Sequence, residues 1–264
     1  MLLKTNKKNC IAIAFMLSIA SFSLYGQIAG GEDRLAKDIE PKQMLQVYVD
    51  GGFAVTGADL AKRFGYFSSL GIGLGYKTYR NITAGLTINT LFAPKVIDNT
   101  MLNSMRGSSG ELLDANGNYA VINTLMRGTM LVGQAGKIFA MGSNKNSGLW
   151  LQGGFVYLST HIKFQYPSKT LPQLDDNMYK GYDRLTGGLG LIASIGYHHI
   201  TANNTLSYYI KTNFINARTQ SLRTFQYDQI VADQSIKRDL IMSINAGIIL
   251  PIRAKTLGKE SFYK

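Results

Sequence analysis

Residues 70–92 read LGIGLGYKTYRNITAGLTINTLF and contain two alternating runs joined by a turn at residues 79–81. Leu70, Ile72, Leu74 and Tyr76 alternate with Gly71, Gly73, Gly75 and Lys77, and then Ile82, Ala84, Leu86, Ile88 and Phe92 alternate with Thr83, Gly85, Thr87 and Asn89. Because successive side chains of a strand point to opposite faces, each run has one apolar face and one small or polar face. Runs of about ten residues match a tilted membrane-spanning strand, whereas soluble strands are nearer five or six. The stretch predicts a hairpin of two membrane-spanning strands.

Six further alternating runs repeat this unit along the chain. They cover residues 45–55, 119–139, 149–164, 185–197, 206–216 and 240–252. The connections between the eight runs alternate long and short, which is the order of an up-and-down barrel with tight periplasmic turns and longer outer loops. The predicted fold is therefore all-β, an eight-stranded antiparallel up-and-down transmembrane β-barrel with both termini in the periplasm.

The start of the chain predicts export. Lys4, Lys7 and Lys8 precede an apolar run at residues 11–24, and a small residue, Gly26, follows it; this is the pattern of a secretory signal peptide. We predict a signal peptide at residues 1–26, a periplasmic lead-in at 27–43, the outer-membrane barrel at 44–252 and a basic tail at 253–264. The single cysteine, Cys10, lies in the leader before the apolar run, so the mature chain should have no thiol, disulfide or cysteine metal site.

The charge balance indicates which partners to expect. Removal of the three leader lysines lowers the formal net charge from +12 to +9. An exported chain without a basic helix or recognition motif is not expected to bind nucleic acid. Anionic lipid head groups, such as the phosphates of lipopolysaccharide, are the expected partner of an exported basic surface. After the leader, no apolar stretch is long enough for a membrane helix, so the chain must cross the membrane with strands, which in lipid requires a closed barrel.

The position of charged residues separates a membrane barrel from a soluble sandwich or lipocalin-type barrel, which also has alternating strands. Six charged residues fall on the parity opposite the bulky apolar side chains: Asp50, Lys77, Arg127, Lys137, Lys163 and Lys211. A charge that faces lipid at mid-bilayer costs about 2–4 kcal/mol, whereas a soluble barrel keeps its charges outside. The pattern predicts a barrel in the cell outer membrane whose charged side chains face the lumen.

An eight-stranded barrel is just wide enough for side chains to fill its interior. We therefore expect a lumen plugged by hydrogen-bonded and ion-paired polar side chains rather than a wide aqueous pore. The predicted polar network of the lumen consists of Asp50, Arg127, Ser159, His161, Lys163, Lys211 and Asn213.

Aromatic residues cluster beside the three short turns. They are Tyr76, Tyr79, Phe139, Trp150, Tyr197 and Tyr208. Amphipathic rings favour the head-group level of a bilayer, so these six residues are predicted to form the periplasmic aromatic girdle. Phe92, Tyr119, Phe164 and Phe214 lie at the loop ends and would supply the outer girdle.

Three patterns could carry chemistry. The glycines of Gly71-x-Gly73-x-Gly75 lie inside a strand and are followed by another strand, so they do not form a nucleotide-binding loop. Asp175-Asp176-Asn177 could hold calcium, but it lacks EF-hand spacing and reads as a solvated acidic turn. His198 and His199 lie in a turn and suggest metal ligands only weakly. No cofactor and no metal are predicted.

Ser159 and His161 share one strand face and are the one pair in the chain that suggests hydrolysis. Outer-membrane lipid A deacylases and palmitoyl transferases are barrels of this size that use His and Ser. A catalytic pair also needs a third group that orients the imidazole, and no pattern in the sequence places one. The chain is therefore predicted not to be an enzyme.

The overall pattern resembles the small OmpA/OmpX-like outer-membrane barrels. The leader ends in Gly-Gln, which is similar to leaders of exported Bacteroidota proteins, and the segments KGYDRLTGG (180–188) and RDLIMSINAGIILPI (238–252) resemble a group of Bacteroidota barrels. Barrels of the PorT and PorG type, associated with type IX secretion, share this size and compartment. The chain departs from many barrels in that a basic tail follows its last strand, so either Tyr263 or that strand supplies the assembly signal.

The expected role is a scaffold or binding module that acts through long outer loops or as a subunit of an envelope assembly, of which a type IX secretion assembly is one example. The expected protein partners are therefore envelope or secretion-system proteins. A porin-like channel for small solutes is the competing prediction. An enzyme that modifies lipid A is the third.

Overall fold

The computed structural model describes residues 39–98, 100–107, 110–166, 171, 174, 178–201, 207–227, 230 and 233–252. All of them belong to one compact unit, residues 38–264. The predicted signal peptide, most of the lead-in, the basic tail and the acidic turn at residues 175–177 lie outside the described residues.

Eight strands make up most of the described chain. They are β1 (Met44–Gly57), β2 (Tyr66–Lys77), β3 (Ile82–Ala93), β4 (Asn123–Ala140), β5 (Gly148–Gln165), β6 (Thr186–His199), β7 (Ser207–Ser221) and β8 (Lys237–Ile252). Each pairs antiparallel with the next, and β8 pairs with β1, so the sheet closes into a barrel. One α-helix, α1 (Ala58–Arg63), and two 3₁₀ helices, Thr100–Met105 and Met178–Gly181, lie in the long loops. The predicted eight-stranded antiparallel barrel is confirmed.

The outer wall of the barrel is apolar. Leu70, Leu86 and Phe155 are exposed to 61%, 62% and 71%, and their neighbours on the same face are also large and apolar. Such a surface exceeds what a water-soluble monomer exposes, whereas in a bilayer it faces lipid while every strand edge is paired. Among the described residues, no helix has the length and apolar content needed to cross a membrane.

Strands β7 and β8 extend further than predicted at the end of the barrel that carries the long loops. Residues 217–221 were expected in a loop but continue the ladder, with Ala217↔Asp239 and Thr219↔Lys237 as Cα partners. Alternation persists here, because Ala217 and Thr219 are buried while Arg218 and Gln220 are exposed. Because the outward side chains of this segment are polar, apolar alternation does not show that the strand continues beyond the apolar belt.

Strands β4 and β5 face the opposite way from the prediction. Their bulky apolar residues were expected to face lipid, but Met126 and Leu158 are 0% and 1% exposed and line the lumen. Arg127, Lys137, Ser159, His161 and Lys163 consequently lie on the outer wall. The predicted placement of these five residues in the lumen is therefore wrong. Alternation divides a strand into two faces, but it does not say which face is inside when the lumen itself is partly apolar.

The half of the lumen nearest the long loops is an apolar core. The strands contribute Leu91, Met126, Met130, Val132, Val156, Leu158, Ile162, Ile192, Ile215 and Ile241, and the loops contribute Leu60, Phe64, Val96, Met101, Leu102, Leu112, Leu171 and Leu174. The long loops therefore fold down over the barrel mouth and bury their apolar side chains there. The prediction of a wholly polar lumen is corrected, because polar residues fill only part of it.

Candidate functional site

A polar layer crosses the middle of the lumen and is centred on Asp50 of β1. The Tyr209 hydroxyl donates a hydrogen bond of 2.7 Å to Asp50 Oδ2, and Asn245 Nδ2 donates one of 3.1 Å to Oδ1. Asp50 is 5% exposed. A buried carboxylate is tolerated when both of its oxygens accept hydrogen bonds, as they do here.

The layer continues as a chain of hydrogen bonds through β4, β6, β7 and β8. Gln134 Nε2 donates to Ser194 Oγ at 2.5 Å, and Ser194 Oγ donates to Asn213 Oδ1 at 2.7 Å. Asn213 Nδ2 then donates to Ser243 Oγ at 3.0 Å and to Asn245 Oδ1 at 2.9 Å. Each group accepts one bond and donates the next, an arrangement in which hydrogen bonds strengthen one another.

Lys211 supplies the cation of this layer. Its Nζ donates to Gln134 Oε1 at 3.2 Å and lies 5.4 Å from the ring centroids of both Trp150 and Tyr209. Those distances are within the range of cation–π attraction, which is stronger where water is excluded. The structure thus brings Asp50, Lys211 and Asn213 together in the lumen and leaves the other four predicted network residues outside.

Aromatic rings form a second layer, nearer the short turns. Trp150 lies 6.2 Å from Tyr48 and 5.5 Å from Tyr209, centroid to centroid, and the Trp150 indole donates a hydrogen bond of 2.9 Å to Thr83 Oγ1. Trp150 is 3% exposed, so its predicted place in the girdle is wrong: the indole N–H finds its partner inside the barrel. The other five predicted girdle residues lie exposed at this end: Tyr76, Tyr79, Phe139, Tyr197 and Tyr208.

A buried histidine lies below the aromatic layer. His198 is fully buried, with its ring 5.0 Å from Trp150. Its Nε2 lies 3.2 Å from Gln46 Nε2, and Gln46 Oε1 accepts a hydrogen bond of 2.6 Å from the Tyr48 hydroxyl. His198 and His199, expected in a turn, are the last two residues of β6 and point to opposite faces of the strand. The described residues contain no group of three or more His, Cys, Asp or Glu placed to hold an ion.

Residues 39–43 form a strap that lies across the short-turn end of the barrel. Ile39 pairs with the β4–β5 turn, where Ile39 N donates to Ser143 O at 3.0 Å and Lys145 N donates to Ile39 O at 3.1 Å. The Lys77 ammonium, fully buried beneath this strap, donates to Lys42 O at 3.1 Å and to Asn146 Oδ1 at 3.0 Å. These bonds hold the strap across the barrel end.

The described side chains leave little open space in the middle of the lumen. Two cavities within the lumen have volumes of about 10 Å³ each and flank Lys211, which is room for about one water molecule apiece. Above them is the apolar core, and below them are the aromatic layer and the strap.

Ion pairs hold the long loops at the barrel mouth. Arg63 of α1 lies 3.5 Å from Asp239, and burial lowers the pKa of Arg63 while Asp239 partly opposes that shift. Arg223 clamps Asp183 through Nε at 3.0 Å and Nη2 at 2.5 Å, and these hydrogen bonds raise the pKa of Arg223. The loops are therefore fixed by charge as well as by apolar packing.

Ser159 and His161, the predicted candidate for hydrolysis, lie on the outer wall. Arg127, the strand partner of His161, is a cation and cannot orient an imidazole as a carboxylate does. In the part of the chain that the structure describes, neither Ser159 nor His161 has a side-chain hydrogen bond to the other or to a carboxylate. The contacts of the described residues therefore do not join this pair to a third group that would orient the imidazole.

The charged side chains that the eight strands place on the outer wall are all basic, and the sequence analysis identified only some of them. The eight strands contain two carboxylates, Asp50 and Asp239, and both are buried inside. The outward basic residues are Arg127, Lys163, Arg218 and Arg238 near the long loops, and Lys137 near the short turns. Arg218 and Arg238 fell outside the predicted strands, and extending the alternation of the last two strands would have found them.

No protein-family model matches the chain, and no curated protein matches it significantly. Several solved structures resemble it. Neisserial surface protein A is 11% identical, covers 79% of this chain and 98% of its own, and has a TM-score of 0.42. Ail, the attachment invasion locus protein of Yersinia pestis, is 6% identical over 79% and 99%, with a TM-score of 0.39. The outer membrane protein OprG of Pseudomonas aeruginosa is 13% identical over 80% and 99%, with a TM-score of 0.34.

Similarity at these levels says nothing about activity. The assignment of this chain rests on its own closed antiparallel strand pairing and on its apolar outer wall. In lipid, where every backbone group must find a partner within the protein, a closed barrel satisfies that demand. The protein is an integral outer-membrane β-barrel.

Proposed function

We propose that this barrel is a sealed scaffold or binding module that acts through its long loops, as a subunit of an envelope assembly. The short turns and both chain ends would then face the periplasm, and the long loops would face outward, as in other barrels of this type. A type IX secretion assembly is the finer form of this proposal, and it rests on the Bacteroidota resemblance alone.

The observation that carries the proposal is the sealed lumen. Hydrogen bonds between side chains of β1, β4, β6, β7 and β8 hold its central polar layer together, and side chains of the strands and the loops fill its apolar half. A small-solute channel needs a hydrated path, and the two cavities that flank Lys211 in the described packing have volumes of about 10 Å³ each. This packing favours a scaffold over a channel.

The long loops offer a surface for a partner. Tyr119 and Val121 are 75% and 73% exposed, and Ala120 between them donates a backbone hydrogen bond of 2.8 Å to the carbonyl of Leu112, which is buried in the apolar core. Large apolar side chains held in fixed positions at a surface are typical of protein-binding sites. We propose no enzymatic activity and no cofactor, and we propose lipopolysaccharide phosphates as lipid partners of the basic outer wall.

Affinity purification from the native envelope in mild detergent, followed by mass spectrometry, tests the proposal. We expect secretion or other envelope proteins to co-purify in stoichiometric amount. Replacement of Tyr119 and Val121 by serine should reduce that recovery, while replacement of the lipid-facing Leu86 and Ile88 by alanine serves as the control. Recovery of the barrel alone, with lipopolysaccharide and no protein, would contradict the assembly role.

A further inference from the structure

Two arginines face each other on the outer wall at the long-loop end of the barrel. Arg218 of β7 and Arg238 of β8 are direct cross-strand partners, and both are exposed. Side chains at such positions have Cβ atoms about 4.5–5.5 Å apart, and like charges there destabilise the pairing. Arg218 and Arg238 therefore repel each other in the isolated protein.

No acidic side chain in the described chain pairs with either guanidinium. Asp59 of α1 accepts a hydrogen bond of 3.0 Å from the Arg238 backbone N–H, and its carboxylate pairs with Lys62 at 2.8 Å. Among the described residues, the two guanidinium groups therefore keep their positive charge on this surface without an acidic partner, and an external anion would balance it.

The Arg238 guanidinium is oriented by a neighbouring amide. Its Nε donates to Asn216 Oδ1 at 3.3 Å. Asn216 lies in the outward row formed by Leu191, Asn216 and Leu240, directly below the arginine pair. Leu191 is 61% exposed. The two guanidinium groups thus lie where the apolar belt ends, which is the level of lipid head groups.

We propose that Arg218 and Arg238 form a binding site for the phosphate group of a membrane lipid. Guanidinium groups bind phosphate through two parallel N–H···O bonds, which gives geometry as well as attraction. A lipid, rather than free phosphate, fits because its acyl chains would lie along the apolar wall of Leu191 and Leu240. The inference rests on the proposed function in one respect, that the long-loop end lies at the outer leaflet, whose lipopolysaccharide carries such phosphates.

Native mass spectrometry of the purified full-length protein tests the site. The probe is diphosphorylated lipid A, compared with the same lipid after removal of its phosphates. We expect the double variant Arg218→Gln/Arg238→Gln to bind the phosphorylated lipid roughly tenfold more weakly, the size of a lost charge-assisted contact. Arg218→Lys/Arg238→Lys, which keeps the charge but not the paired donors, should bind at an intermediate level.

The control variant is Arg80→Gln/Lys180→Gln, which removes the same charge at exposed positions away from the pair. It should bind like the natural sequence. Equal losses in both double variants, or no loss in either, would overturn the site. Displacement of lipid A by inorganic phosphate at equal concentration would show that the ligand is free phosphate, and would overturn the lipid assignment.

A variant in which one arginine becomes acidic distinguishes a loss of lipid binding from a loss of folding stability. Arg218→Glu replaces repulsion by an ion pair with Arg238, so the lipid-free variant should resist urea at least as well as the natural sequence while losing phosphorylated lipid A. A variant that unfolds more easily and still binds lipid A would contradict the proposal. Because all these measurements use the isolated barrel, a negative result leaves the assembly role to be decided by co-purification.

Discussion

At the scale of single residues, Asp50 is the position where the lumen is most sensitive to change. Asp50→Ala would leave the Tyr209 hydroxyl and the Asn245 amide without their acceptor and Lys211 without the anion of its layer. We expect the free energy of unfolding to fall by about 2–4 kcal/mol. Urea unfolding can be followed by the fluorescence of Trp150, the single tryptophan of the chain.

Asp50→Asn is the matched control for this prediction, because it keeps one acceptor oxygen and should cost less than the alanine change. Equal stability of Asp50→Ala and the natural sequence would show that the central layer does not hold the barrel together.

Glycine at position 247 makes room for the aromatic layer. A Cβ at Gly247 would lie 2.8 Å from the ring of Tyr209 and 2.8 Å from Asp50 Cβ. Gly247→Ala should therefore lower stability by about 1–3 kcal/mol through overpacking. Gly153 on the outer wall is the comparison, since a Cβ there meets nothing nearer than 4.0 Å, and Gly153→Ala should be close to neutral in the same urea titration.

At the scale of elements, the β4–β5 hairpin is the part whose lumen-facing side was set by packing against the rest of the barrel. Cysteines introduced in a Cys10→Ser background test that orientation. Arg127→Cys and His161→Cys should react with a membrane-impermeant maleimide on intact cells, because both side chains lie on the outer wall near the long loops. Met126→Cys and Ile162→Cys should stay unlabelled until the protein is denatured, because both face the apolar core. The reverse labelling pattern would show that the hairpin is turned the other way.

At the scale of the whole molecule, the apolar core and the central polar layer fill the lumen one above the other. We predict no stable conductance in planar bilayers. Lys211→Ala/Trp150→Ala, which empties the central region, should also fail to conduct because the apolar core and the loops above it remain. A porin examined under the same conditions provides the positive control. A large and steady conductance of the natural protein would favour the channel.

The strand order and most strand faces could be predicted from residue alternation alone. Leu70, Ile72 and Leu74 face lipid and Gly71 and Gly73 face the lumen, because glycine-rich and bulky parities differ clearly in β2. Asp50, Lys211 and Asn213 could be placed inside for the same reason. Trp150 could not, since its environment depends on Tyr48, Tyr209 and Thr83 from three other strands.

The amino-acid sequence by itself determined that this chain forms eight strands and closes into a membrane barrel. Period-two alternation and the spacing of turns are local properties that a chain carries in any context. Tertiary structure alone decided which face of β4 and β5 is inside, because both of their parities carry apolar side chains, and the choice depends on what the loops pack against. It also brought Arg218 beside Arg238, since a cross-strand neighbour is set by register between segments and not by distance along the chain.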